Sequence, residues 1–266
     1  MHIHFHGLGA MGLPMALHLQ AAGHTLDGID PLPSARTRWR ERSGATPADH
    51  PRQAPDVVVL CVTDEPAARA VIADRAQGWP RGSLVLDHTT TSTTWAREVH
   101  AYLARQGIAY CDAPLSGGVP GAERGELVAM LGAPEDALAR ALAVLAAYTR
   151  EVIHLGGPGA GQTCKMANQI AIAGIAVGLE TARSFALAQG LPLARVFAAL
   201  AQGTAASVQL ERLGHALGDP ESHPDRRFAW LEKDLALYEG AGMQADPATT
   251  ALLALCRKHL HPSPTE

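Results

Sequence analysis

The chain has 266 residues, 47% hydrophobic and 18% charged, which excludes a disordered protein and provides for between one and two domains with a sizeable core. Its 22 basic and 26 acidic side chains leave a formal net charge of -4, so no nucleic-acid partner is expected. Aromatic residues make up only 5%, so Ala, Leu, Val and Ile must fill the core, with 26 glycines marking tight turns and close contacts.

Strands are expected at residues 3–6, 25–29, 57–62, 83–87, 108–110, 127–131 and 151–155. Helical stretches fall between them at 11–22, 34–42, 66–75, 92–105 and 134–146. This alternation predicts an α/β domain over residues 1–160, a doubly wound, mostly parallel sheet of the Rossmann type. From residue 161 no strand pattern remains. A proline-free apolar run predicts one long helix over 161–190, ended by Gly190 and Pro192 and buried between domains or subunits. Three or four more helices complete an all-α C-terminal domain, 161–266. The N-terminus shows no basic-then-apolar leader, and the longest apolar stretch, 170–179, is too short to span a bilayer, so a cytoplasmic protein with no membrane partner is expected. Cys61, Cys111, Cys164 and Cys256 are widely spaced with no CxxC, which points to reduced thiols.

The first strand runs into Gly7-Leu8-Gly9-Ala10-Met11-Gly12 and then a helix. In such a loop the first glycine permits the turn, the second lets a pyrophosphate approach the backbone, and the third lets helix and strand pack closely. The helix N-terminus supplies free N–H groups to the phosphates. Asp30 ends the second strand, 18 residues after Gly12, where a carboxylate bonds a ribose 2′-OH and repels a 2′-phosphate, which favours NAD over NADP. Arg36 and Arg38 read as a solvated helix face. His2, His4 and His6 share one face of the first strand and are expected to be neutral and hydrogen-bonded, with no metal.

Two further passages carry chemistry. In Asp112-Ala113-Pro114-Leu115-Ser116-Gly117-Gly118, a hydroxyl and two unobstructed backbone N–H groups suit a carboxylate, although an elaborate turn explains the same residues equally well. In the stretch from Gly156 to Gln169, a glycine loop feeds the long helix and puts Lys165, Asn168 and Gln169 on one helical face. A lysine one turn inside an apolar helix is costly unless used or paired. Its ammonium could exchange a proton with a hydroxyl or carbonyl, helped by desolvation that lowers its pKa from about 10.4.

These segments, GLGAMGLPMA, DAPLSGGVPGAERGEL and GGPGAGQTCKMANQ, together with Lys233-Asp234-Leu235, closely resemble the β-hydroxyacid dehydrogenase family, in order and spacing, from residue 3 to about 240. The resemblance implies a Rossmann domain joined by a long helix to an all-helical domain, in a homodimer or homotetramer. It also implies NAD-dependent hydride transfer to or from a small β-hydroxy acid such as 3-hydroxyisobutyrate. By resemblance Lys165 is the catalytic acid/base, assisted by Asn168 and Gln169. Ser116, Gly117 and Gly118 cradle the substrate carboxylate. The cofactor is bound by Gly7, Leu8, Gly9, Ala10, Met11, Gly12, Asp30, Val62, Thr63, Thr90, Lys233 and Asp234. Two departures stand out: Gln169 replaces the second of two consecutive family asparagines, and the family's glycine-rich tail is not found before Glu266. The alternatives are an NADPH-dependent semialdehyde, glyoxylate or imine reductase, and a dinucleotide-binding module without catalysis.

Overall fold

The computed structural model describes residues 1–45, 53–219, 234, 237, 250–252, 254 and 255. They form two compact units, 1–165 and 166–266, so the division falls inside the long helix, five residues later than the expected boundary.

The first unit runs β1 (His2–His6), α1 (Gly12–Ala21), β2 (Thr25–Ile29), α2 (Pro33–Ser43), β3 (Val57–Leu60), α3 (Glu65–Arg75), β4 (Leu84–Asp87), α4 (Thr93–Ala104) and β5 (Ala109–Asp112). It continues through β6 (Leu115–Ser116), α5 (Gly118–Arg124), β7 (Leu127–Gly132), α6 (Glu135–Leu145) and β8 (Thr149–Gly156). Its sheet has the order β2-β1-β3-β4-β5-β7-β6, with β8 beside β7. Strands β1 to β5 pair in parallel, β7 runs antiparallel to β5 and β6, and β8 is parallel to β7. Because β2 lies on one side of β1 and β3 on the other, the chain reverses direction across the sheet at β1. The loop after β1 therefore opens at a topological switch point, where α/β sheets bind ligands.

Strands buried on both faces read as continuous apolar runs, and Val57–Leu60 is entirely buried. One face packs Ile3, Phe5, Val57, Val59, Leu84 and Leu86 against Met15, Leu19 and Trp39. The other packs Val58, Leu60 and Val85 against Ile72, Trp95, Val99 and Leu103. Helices α3 and α4 begin at side-chain caps: Asp64 accepts from Ala67 N at 2.9 Å and Ser92 from Trp95 N at 3.1 Å. The sequence reading did not foresee β6 or α5, two residues and seven residues long, because a polar glycine-rich segment carries too little periodicity. It also ran the third strand to residue 62. The strand ends at Leu60, which leaves Val62 and Thr63 in the turn.

In the second unit the helix α7 (Ala160–Ala188), which starts in the first, is followed by α8 (Leu193–Gln202) and α9 (Val208–Gly218). Leu179 and Ala186 of α7 pack with Leu193, Phe197, Leu210 and Leu217. Within this chain one stripe of α7 is buried, while Phe185 is 67% exposed. Over 29 residues α7 is long and apolar enough to cross a membrane, contrary to the shorter apolar run read from the sequence. Yet buried Arg183 on its packed stripe donates to Leu217 O and Asp219 O, satisfying the C-terminal end of α9 as in a globular core. Leu237 and residues 250–252, 254 and 255 are also helical.

Two predictions arise from this packing. A Cβ on Gly28 would lie 2.7 Å from Cε2 of fully buried Trp39, so Gly28→Ala should cost about 1–3 kcal/mol and lower Tm in thermal denaturation. A wild-type Tm would contradict this account of the contact. Burial raises the Asp87 carboxyl from its ordinary 3.8 to about 7, against hydrogen bonds from Thr89 and Tyr110 that pull it down. Between those values the unfolded chain has released a proton that the folded chain keeps, so this group lowers stability as pH rises through the window. Asp87→Asn should therefore gain Tm relative to wild type from about pH 4 to about pH 8, and a pH-independent difference would refute the assignment.

Candidate active site

The loop after β1 has the geometry that its three glycines require. Gly7 has φ +97°, and a Cβ there would strike the Cys61 carbonyl oxygen. A Cβ on Gly9 would meet nothing within 4 Å, which leaves the backbone open to approach. A Cβ on Gly12 would strike the Gly7 carbonyl and come to 3.0 Å from the Phe5 ring, the close helix–strand contact expected of the third glycine. Met11, the residue before α1, makes no side-chain cap, and Gly9 and Ala10 are exposed. A dinucleotide pyrophosphate fits this uncapped helix start.

Leu8 is buried, and its N–H donates to Asp30 Oδ2 at 2.7 Å, while Leu32 N donates to Oδ1 at 2.8 Å. Asp30 therefore ties the loop after β1 to the end of β2. Arg36 is held at the same turn, with Nη1 donating to Asp30 O at 2.9 Å and to Pro31 O at 3.1 Å. This corrects its reading as a merely solvated residue, whereas Arg38 is exposed.

Val62 and Thr90 are half-buried, and Thr63 is exposed. The two cofactor turns are joined where Val62 N donates to Thr89 Oγ1 at 3.3 Å. Gln162, a buried residue that the sequence reading passed over, holds the second turn on both sides of Thr90. Its Nε2 donates to Thr89 O at 2.7 Å, and its Oε1 accepts from Thr91 N at 3.1 Å.

Asp112 was also unassigned. It is fully buried at the end of β5, where Oδ1 accepts from Gly159 N at 2.6 Å and Oδ2 from Gln162 N at 2.7 Å. It thus binds the glycine loop at the start of α7, where the helix dipole favours a carboxylate. Burial raises its pKa to about 6, against these backbone bonds, which lower it. Gly161 lets the loop approach, since a Cβ there would strike Met130 O and lie 2.7 Å from Asp112 O. A polar residue beside a glycine loop is the only sequence signal for either residue, and it does not separate them from ordinary turn residues.

One turn into α7, Lys165 Nζ donates to Leu115 O at 2.9 Å. The ammonium is thereby fixed beside Ser116, Gly117 and Gly118, all half-buried. Gly117 and Gly118 have φ of +127° and +63°, values that favour glycine and turn the chain from β6 into α5.

In the second unit, Asn168 Nδ2 donates to Gln169 Oε1 at 2.9 Å, and buried Gln169 donates through Nε2 to Asp234 Oδ2 at 2.6 Å. Both ends of the Gln169 amide are therefore engaged within the protein, in a bridge that joins Asn168 to Asp234. Lys233 lies outside the described residues, as does Cys256, while Cys61, Cys111 and Cys164 are free thiols.

Comparison with known proteins agrees with this layout. Residues 2–156 match the family profile for the NAD binding domain of 6-phosphogluconate dehydrogenase, and residues 159–261 match that for the NAD-binding of NADP-dependent 3-hydroxyisobutyrate dehydrogenase. The chain is 37% identical over 239 residues to an uncharacterized oxidoreductase of Shewanella frigidimarina, covering 88% of this chain and 82% of that protein. It is 32% identical over 267 residues to an NAD-dependent L-serine dehydrogenase of Pseudomonas aeruginosa, covering 95% and 89%. Among solved structures, Mycobacterium tuberculosis 3-hydroxyisobutyrate dehydrogenase with L-serine aligns with a TM-score of 0.81 at 30% identity, covering 97% of this chain and 92% of that one. Profiles that match both parts of the chain, and relatives that match across their join, make this protein a member of the β-hydroxyacid dehydrogenase family, an NAD(P)-dependent dehydrogenase.

Proposed function

We propose that the protein oxidises a small β-hydroxy acid with NAD, reversibly, using Lys165 as general acid/base. The observation that carries this reading is the Lys165 Nζ to Leu115 O contact of 2.9 Å, which supports an amine working next to the Ser116-Gly117-Gly118 turn. The nicotinamide, when bound, takes up or gives back the hydride. The chain's own residues do the rest. Ser116 Oγ and the glycine N–H groups anchor the carboxylate, so the hydroxyl-bearing β carbon, two carbons beyond the carboxylate carbon, is held near Lys165. Lys165 takes the hydroxyl proton at Nζ during oxidation and returns it during reduction, and the Leu115 carbonyl orients that nitrogen. Asp112 and Gln162 are positioning residues, because they fix the α7 start and the turn that carries Thr90. Asn168, Gln169 and Asp234 form a polar bridge that orients the Asn168 amide.

Asp30 supports NAD, since a 2′-phosphate would meet a carboxylate that already accepts two backbone N–H groups. Slower use of NADP is the second reading, favoured by the Arg36 guanidinium held at the same turn.

Lys165→Ala should lower kcat by roughly a hundredfold or more with little change in cofactor affinity, and near wild-type turnover would refute the acid/base role. Ser116→Ala should raise KM for carboxylate substrates, so an unchanged KM would count against the anchor. A panel of 3-hydroxyisobutyrate, serine, glycerate, tartronate semialdehyde and short semialdehydes, with each nicotinamide, identifies the substrate by reduced-cofactor absorbance. The expected outcome is turnover of a hydroxy acid with NAD. Equal kcat/KM with NADP would overturn the role given to Asp30, and activity confined to aldehydes lacking a carboxylate would overturn the substrate class.

A further inference from the structure

Strand β1 alternates His2, His4 and His6 with Ile3 and Phe5, so the apolar pair enters one core and the three imidazoles share the opposite face. The parallel register sets His4 beside Asp27 of β2, a carboxylate 23 residues further along the chain that the alternating motif does not contain. His2 Nε2 lies 3.1 Å and His4 Nε2 3.8 Å from the same Asp27 oxygen. One donor atom from each of the three lies within 4.8 Å of the others. A triangle with two such edges, and a third no longer than 4.8 Å, has a centre at most about 2.4 Å from every corner. Zinc–nitrogen and zinc–oxygen bonds of about 2.0–2.2 Å place tetrahedral ligands about 3.4 Å apart, a value that the 3.1 and 3.8 Å edges bracket and toward which the third edge would have to close.

We propose that His2, His4 and Asp27 form a site for one divalent transition-metal ion of the zinc class, separate from the cofactor loop that follows His6. Two imidazole nitrogens and one carboxylate suit Zn²⁺, Co²⁺, Ni²⁺ or Cu²⁺ rather than Mg²⁺ or Ca²⁺, and water fills the open position.

Several features of this face support the assignment. His2 and His4 are 8% and 4% exposed and Asp27 is partly open, so the pocket is largely dry yet reachable. Among the described residues, buried His2 Nδ1 and His6 Nε2 have no hydrogen-bond partner, so those residues do not satisfy every polar atom on this face. Asp56, which accepts from His2 N at 2.8 Å, adds a second carboxylate near the site. The cation acting on His4 and His6 is Arg75, and Asp74 pairs with it at 2.6 Å. Without metal, His4 Nε2 lies 2.8 Å from Gln53 O, so it must carry a proton to that carbonyl. Binding at Nε2 moves the ring's one N–H to Nδ1, so the ligating imidazole stays neutral. The ion would clamp β1 to β2, at the edge of the sheet.

The test uses the full chain, stripped with EDTA and titrated with Co²⁺ by visible absorption and with Zn²⁺ by calorimetry and thermal denaturation. Expected are one equivalent bound, ligand-field bands of a nitrogen–oxygen site, and a Tm raised by Zn²⁺. Asp27→Asn and His4→Gln should each weaken Zn²⁺ binding at least tenfold and abolish the rise in Tm. Circular dichroism verifies that each variant folds, and partly open Asp27 provides the milder substitution. Absence of metal binding by the wild type, or Zn²⁺ binding to folded Asp27→Asn as tight as wild type, overturns the proposal.

Discussion

The bonds from the backbone of the α7 glycine loop to the Asp112 carboxylate are the constraint on which the first unit's geometry depends. Asp112 ends a strand, so its position is set by the sheet, and its two oxygens reach Gly159 N and Gln162 N at 2.6 and 2.7 Å. Desolvating a carboxylate is costly, and burial indeed raises its pKa to about 6. The charge is tolerated because several backbone N–H groups and a helix dipole converge on it. A break here would release both the start of α7 and the Gln162 side chain that holds Thr89 and Thr91.

The same logic operates at the phosphate loop. Asp30 is fixed by β2, and it fixes Leu8 in turn, so the loop and the end of β2 are held together. Glycines at Gly7, Gly12 and Gly161 let backbone meet backbone where any Cβ would collide. Part of the glycine abundance seen in the composition thus serves close approaches at the loop after β1 and at the start of α7.

Strand positions and the phosphate loop were legible in the sequence because burial on both faces makes strands such as Val57–Leu60 apolar throughout, and because the loop glycines occur in a strand–turn–helix setting. Lys165 was legible because a cation in an apolar helix conflicts with its surroundings. Gln162 and Asp112 were not, since each acts through contacts 47 to 73 residues away that leave no local pattern. The bridge that the Gln169 amide makes between Asn168 and Asp234 was not legible either, because a one-dimensional spacing cannot reveal a partner 65 residues away.

The sequence by itself determined the alternation of strands and helices, the Rossmann class, the family and the chemistry-bearing residue types, because periodicity, glycine spacing and an out-of-place charge are properties of neighbours along the chain. Only the tertiary structure decided what those side chains touch: Lys165 on the Leu115 carbonyl, Asp30 on Leu8, and Asp27 beside His2 and His4. The physical reason is that hydrogen bonds and ion pairs act over about 3 Å in space, and sheet register brings together residues that are remote in sequence.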